Sequence, residues 1–192
     1  MKFKKASMFL SMALAASMMA APAMAADVSA TGGTGETPVT IEALATTFSV
    51  TVPTDIALTV KADGTVTVPT NVEIVNNSAG RVKVSSVKAE DGTWTLADYN
   101  SGNRANLAKE KVDAKKLGLQ LTGGGAAIAT SGSSAIGTVD STKWVMNGKD
   151  SGDNKLPITV GAIATAVSNA ETFDSSNAAA KIVFTVAWDT QA

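Results

Sequence analysis

The chain contains neither histidine nor cysteine. Ser-His-Asp catalysis, histidine acid/base chemistry, the common zinc sites, a thiol nucleophile and a disulfide framework are therefore excluded. Carboxylates are the remaining reactive groups. Glu42, Glu73, Glu90, Asp91 and Asp98 would have to meet in one cleft to hydrolyse a glycoside, which needs two carboxyls flanking the scissile bond. Their contexts point to turn chemistry instead. Asp55, Asp63 and Asp91 sit in turn strings, and Glu73 alternates outward between Val72 and Ile74. No catalytic residue and no enzyme activity are expected.

Asp150-Ser151-Gly152-Asp153-Asn154 is the acidic oxygen cluster nearest to a calcium loop. Asp150, Asp153 and Asn154 bring oxygens close along the chain, but the distal bidentate glutamate of an EF-hand is missing. A solvated turn with no metal and no cofactor is the expectation. Gly123-Gly124-Gly125 is followed by neither a GK[ST] string nor a helix start, and reads as a flexible loop rather than a phosphate cradle. Trp94, Tyr99, Trp144 and Trp188 are almost all the large amphipathic aromatics present. An exposed pair of such rings would stack on a sugar. Alternating strand contexts favour the core for Trp94 and Trp188. Trp144, between Gly- and Ser-rich segments, is the candidate outward platform, with Trp188 or Tyr99 as a second contact.

The elements that must carry these residues begin after an export signal. Lys2, Lys4 and Lys5 form a basic start, an Ala-rich apolar run continues to Ala21, and Pro22 precedes Ala23-Met24-Ala25. Ala23 and Ala25 are the small residues of a signal peptidase site, so residues 1–25 read as a signal peptide and Ala26 as the mature start. Its removal takes away three lysines and no acid, leaving 13 basic against 17 acidic residues, about −4 where the full chain is −1. An acidic surface without a Lys/Arg cluster argues against nucleic acid as a partner. The chain also lacks a cysteine for lipid attachment and an apolar C-terminal tail, so no membrane anchor is expected in the mature protein.

Residues 26–46 are rich in Gly, Thr and Ala and read as a flexible leader; residues 47–192 read as one domain. Within it Val, Ile and Thr alternate with period two. Val50-Thr51-Val52-Pro53-Thr54-Asp55-Ile56 is nearly repeated as Val66-Thr67-Val68-Pro69-Thr70-Asn71-Val72, each expected to be a strand, a corner and a second strand. Asp63-Gly64, Asn76-Asn77-Ser78-Ala79-Gly80 and Asp91-Gly92 are turn signals, with Asp63-Gly64 expected to supply positive φ in a tight hairpin. Between Asn103 and Lys111 a short helix and an ordered loop are both open. Leu117, Leu119 and Leu121 mark a strand; residues 122–140 read as long surface loop around one weak strand; and the alternation from Lys181 to Trp188 suggests a strand interior to its sheet. Many short strands, Asx-Gly turns and at most one short helix predict an all-β, immunoglobulin-like antiparallel β-sandwich.

Thr93-Trp94-Thr95-Leu96 resembles the Trp-x-Leu motif of the WxL family of Gram-positive surface proteins. The resemblance implies a secreted β-rich domain held non-covalently at the cell wall. At the place of that family's second motif, Val186-Ala187-Trp188-Asp189-Thr190 reads Trp-x-Thr. The string from Phe48 through Tyr99, with its Val-Pro-Thr corner, Asn-Asn-Ser turn and Trp-Thr-Leu strand, is also similar to small exported proteins of Firmicutes. These features together predict a secreted, cell-wall-associated protein, adhesin-like or a matrix component, that acts by contact. Its expected partners are a cell-wall polymer, another surface protein or further copies of itself, residues 26–40 then adding as a strand to a neighbour's sheet. The alternative is a carbohydrate-binding module using the exposed aromatics.

Overall fold

A computed structural model describes residues 41, 46–100, 103–132, 135–136, 138–171 and 177–190. The expected signal peptide, with Ala23 and Ala25, and the leader up to residue 40 lie outside them. The strands are β1 (Val50–Thr51), β2 (Thr59–Val60), β3 (Val66–Thr67), β4 (Val72–Asn76), β5 (Val82–Asp91), β6 (Thr95–Leu96), β7 (Lys116–Gly123), β8 (Ala126–Ser131), β9 (Ala135–Ile136), β10 (Val145–Met146), β11 (Lys155–Ala164) and β12 (Ala180–Trp188). One short helix, α1 (Asn103–Leu107), and one 3-10 turn (Lys149–Ser151) complete the described elements. The fold is an all-β sandwich.

Its larger sheet holds seven strands in the order β1-β4-β11-β7-β8-β9, with β6 also alongside β7; the smaller runs β10-β5-β12, and β2–β3 is a separate hairpin. All pairs are antiparallel except β6–β7. Alternate residues of β4, β7 and β11 point inward, so Ile74, Leu119, Leu121, Ile158 and Val160 form a single core with Val82, Val84, Val87 and Ala89 of β5. Burying one such aliphatic side chain stabilises the fold by about 2 kcal/mol.

Local chemistry explains where the period is broken. In β5 the inward valines are spaced by two and then by three, which a regular strand cannot accommodate on one face. A bulge resolves it: Thr185 pairs with Ser86 and Val186 with Val84, leaving Ser85 as the extra residue. Where β6 and β8 meet along β7, the buried Thr130 hydroxyl donates to Ala97 O at 2.6 Å and accepts from Leu119 N at 3.0 Å. This bond joins the split flank of the larger sheet.

Several expectations change. Residues 122–140 are not mainly loop, because β7 and β8 form a hairpin across Gly124-Gly125, whose φ values of 56° and 79° suit a two-residue type I′ turn. A side chain at Gly124 would lie 2.0 Å from Lys143 O, so this glycine run is a packed turn rather than a flexible loop. The β2–β3 connection uses positive φ only at Gly64; Lys61 and Thr65 bracket a three-residue turn, and Asp63 caps Thr65 N at 2.8 Å. The repeated strings diverge. The second is β3, corner and β4, as expected, whereas the first is β1 followed by irregular chain up to β2. Among the described residues β12 pairs only with β5 and is an edge strand, not an interior one. Its partial burial on both faces reflects sandwich packing without a second strand neighbour. Between Asn103 and Lys111 the short helix forms, held by buried Leu107 and by Arg104, whose guanidinium donates to Asp63 O at 3.1 Å.

The Asn76 turn is buried rather than solvated. Asn76 Nδ2 donates to Gly80 O and Asn147 O, both at 2.8 Å, while Oδ1 accepts from Ser78 N at 2.9 Å. Ser78 Oγ accepts from Ser49 N at 2.8 Å and donates to Ser49 O at 3.0 Å. Removing a side chain that satisfies so many buried groups leaves several unpaired. Asn76→Ala is expected to lower unfolding free energy by about 2 to 4 kcal/mol, read from urea denaturation, and exposed Asn77→Ala by less than about 1 kcal/mol.

Candidate contact surface

Trp144 is placed by the short strand β10 and packs between Gly123 and the core, 0% exposed, with Nε1 donating to Ala126 O at 3.0 Å. This corrects its reading as an outward platform: neither ring face is open to a sugar. The physical reason is Gly123, whose missing side chain leaves room for the indole to lie on the β7–β8 hairpin. Tyr99 is half-buried, with its ring against Gly161 of β11. Trp94 is buried in the core.

Trp188, half-buried like Tyr99 and packed against the core, is the candidate with an exposed aromatic neighbour. It ends β12, lies over Gly80, and meets Phe48 edge-to-face with ring centroids 5.1 Å apart and planes at 84°. Phe48 is 40% exposed. Asp189 follows, pairing with Arg81 at 3.0 Å and Lys83 at 3.3 Å. The ring partner of Trp188 is therefore Phe48, not Trp144 or Tyr99. Phe48 is not among the candidate aromatics of the sequence, which are Trp94, Tyr99, Trp144 and Trp188.

The carboxylates are engaged locally. Glu73 pairs with Lys155 at 2.8 Å, Glu90 with Lys88 at 3.2 Å and Lys181 at 3.7 Å, and Asp91 accepts from Leu96 N at 2.8 Å. Asp98 accepts from Gly132 N. Glu42 lies outside the described residues. Among the described residues no group of three or more Asp or Glu side chains gathers as a metal site. Asn154 of the 150–154 turn donates to Asn76 O at 3.0 Å. No described helix is long and apolar enough to cross a membrane.

Four exposed carboxyls sit below their ordinary pKa: Asp63 through the Thr65 backbone and hydroxyl, Glu90 through Lys88, Asp113 through Ser168 and Asp140 through Thr142. A general acid at neutral pH needs the opposite shift.

Beside β12 an apolar groove opens between the sheets. Leu117, Leu119 and Val160 line it from the larger sheet, Ile182 and Phe184 from β12, and Ile56 from the irregular chain after β1. Its volume is about 550 Å³, and a second cavity of about 440 Å³, bordered by Trp94 and Val60, shares Leu58 and Leu117 with it. These dimensions suit apolar side chains.

Each lowered carboxyl contributes stability that is complete above its ordinary pKa and is lost as pH falls through its folded value. With no histidine to titrate, thermal unfolding temperature is expected to be flat from about pH 5 to 8 and to fall below about pH 4, and Asp140→Asn to flatten that acid limb. Acrylamide quenching is expected to act mainly on Trp188, so Trp188→Phe removes the quenchable emission and Trp144→Phe leaves it. Compared with family models, characterised proteins and solved structures, the chain matches none.

Proposed function

We propose that this is an exported, non-enzymatic protein of the Gram-positive cell surface, associated with the wall and acting by contact. The observation that carries the reading is the chemistry of the described surface: it offers an exposed aromatic corner and a sheet edge, while the candidate acids serve turns and ion pairs. The export pattern of residues 1–25 and the Trp94-Thr95-Leu96 resemblance support the location.

A second reading, a carbohydrate-binding module, is favoured by one feature, the Phe48–Trp188 corner with Arg81 and Lys83 beside it. An amphipathic ring with a polar rim suits a sugar face. The wall polymer would then be the ligand of that corner.

Cosedimentation with isolated walls tests both. The contact reading predicts that the chain starting at Ala26 pellets with walls, and the carbohydrate version that Trp188→Ala lowers the bound fraction at least several-fold. Protein found only in culture supernatant, without affinity for walls or peptidoglycan, contradicts wall association.

A further inference from the structure

We propose that the open edge of β12, with the apolar groove beside it, receives residues 39–45 of a second copy of this chain as an added strand. This goes beyond wall contact and stands or falls separately from it.

The sheets are unequal. Among the described residues seven strands face three, and where the smaller sheet stops at β12 the buried Leu117, Leu119 and Val160 of the larger sheet line a groove that Asp55, Glu171 and Lys181 also border. A strand hydrogen-bonded to the outer edge of β12 would continue the smaller sheet, and alternate side chains of that strand would enter the groove beside Ile182 and Phe184. β12 itself is nine residues, Val, Ile, Phe and Ala with Thr185, Trp188 and a single charge, Lys181, which is little protection for a long edge.

The occupant follows from the sequence ahead of the domain. Val39-Thr40-Ile41-Glu42-Ala43-Leu44-Ala45 is free of glycine and proline and places Val39, Ile41, Ala43 and Ala45 on one side of an extended strand. Seven residues span about 23 Å, enough for most of the edge of β12. Ile41 is 86% exposed, so a single copy leaves this apolar side chain uncovered. Phe48, which follows this stretch in the chain, packs against Trp188 at the end of β12. Donor and acceptor are different surfaces, which makes the contact heterologous; repeated, it gives an open chain of copies rather than a closed dimer.

Light scattering of the chain starting at Ala26 tests this. Mass is expected to grow with concentration beyond that of a dimer, and Ile41→Asp, at an exposed position, to keep a folded monomer. A wild-type chain that stays monomeric, or an Ile41→Asp variant that assembles equally well, overturns the proposal. Because the sequence has no cysteine, crosslinks are unambiguous. Single-cysteine chains carrying Ile41→Cys and Phe184→Cys, mixed and oxidised, are expected to give the mixed dimer in excess over either like pair. A statistical mixture contradicts the strand docking, and closure within one chain of the double variant at high dilution contradicts the second copy as occupant.

Discussion

The amide of Asn76 is the interaction on which the rest of the sandwich depends. Its two donors and its acceptor are all used, by Gly80, Asn147 and Ser78, so a group that would be costly to bury is instead fully satisfied. The Asn76 backbone adds bonds to Asn154 on both sides, N–H to its carbonyl and carbonyl from its amide. Ser78 carries the network on to Ser49, just before β1, and to Lys149 at the 3-10 turn. Segments far apart in sequence, ahead of β1, after β4, after β10 and before β11, are thereby fixed to one turn. That corner sets the register of β4 against both β1 and β11, and with it which side chains face the core.

What the corner secures at one place, the smaller sheet leaves open at another. Among the described residues three strands face seven, and the shortfall falls along β12, beside a groove whose larger-sheet lining, Leu117, Leu119 and Val160, is itself buried. An uncovered edge of this kind is a liability in a solitary protein and an asset in one that works by contact. The charge pattern agrees: exposed lysines and acids pair with each other as Lys155–Glu73 and Lys116–Glu110, where they promote solubility and contribute little to stability.

Much of this architecture was legible in the sequence. Residue patterning located β4, β7 and β12, and Asp63-Gly64, Asp91-Gly92 and the Asn-Asn-Ser string located turns, because backbone sterics act locally. What failed was non-local. Gly124-Gly125 reads as slack until Gly123 and Ala126 are known to pair across it. The polar flanks of Trp144 leave its placement open, and only the hairpin stacked on it makes it core. Gly92 resembles a positive-φ turn glycine, yet it is required because Ala178 O lies where its side chain would be. β12 has the composition of an interior strand, and composition alone does not count neighbours. Of the candidate contact residues, Trp188 and Tyr99 are half-buried and Trp144 is fully buried.

The central claim is therefore one of uneven closure, a buried polar corner at Asn76 and an open edge at β12. Residue-resolved amide hydrogen exchange on the monomeric protein tests it most directly, since protection reports local opening. The account predicts slow exchange at Ser49, Ser78 and Lys149, comparable with the centres of β4 and β5 although all three lie outside strands, and rapid exchange at alternate amides of β12. Fast exchange at Ser49 and Ser78, as in an ordinary solvated turn, or uniform protection along β12 would contradict it.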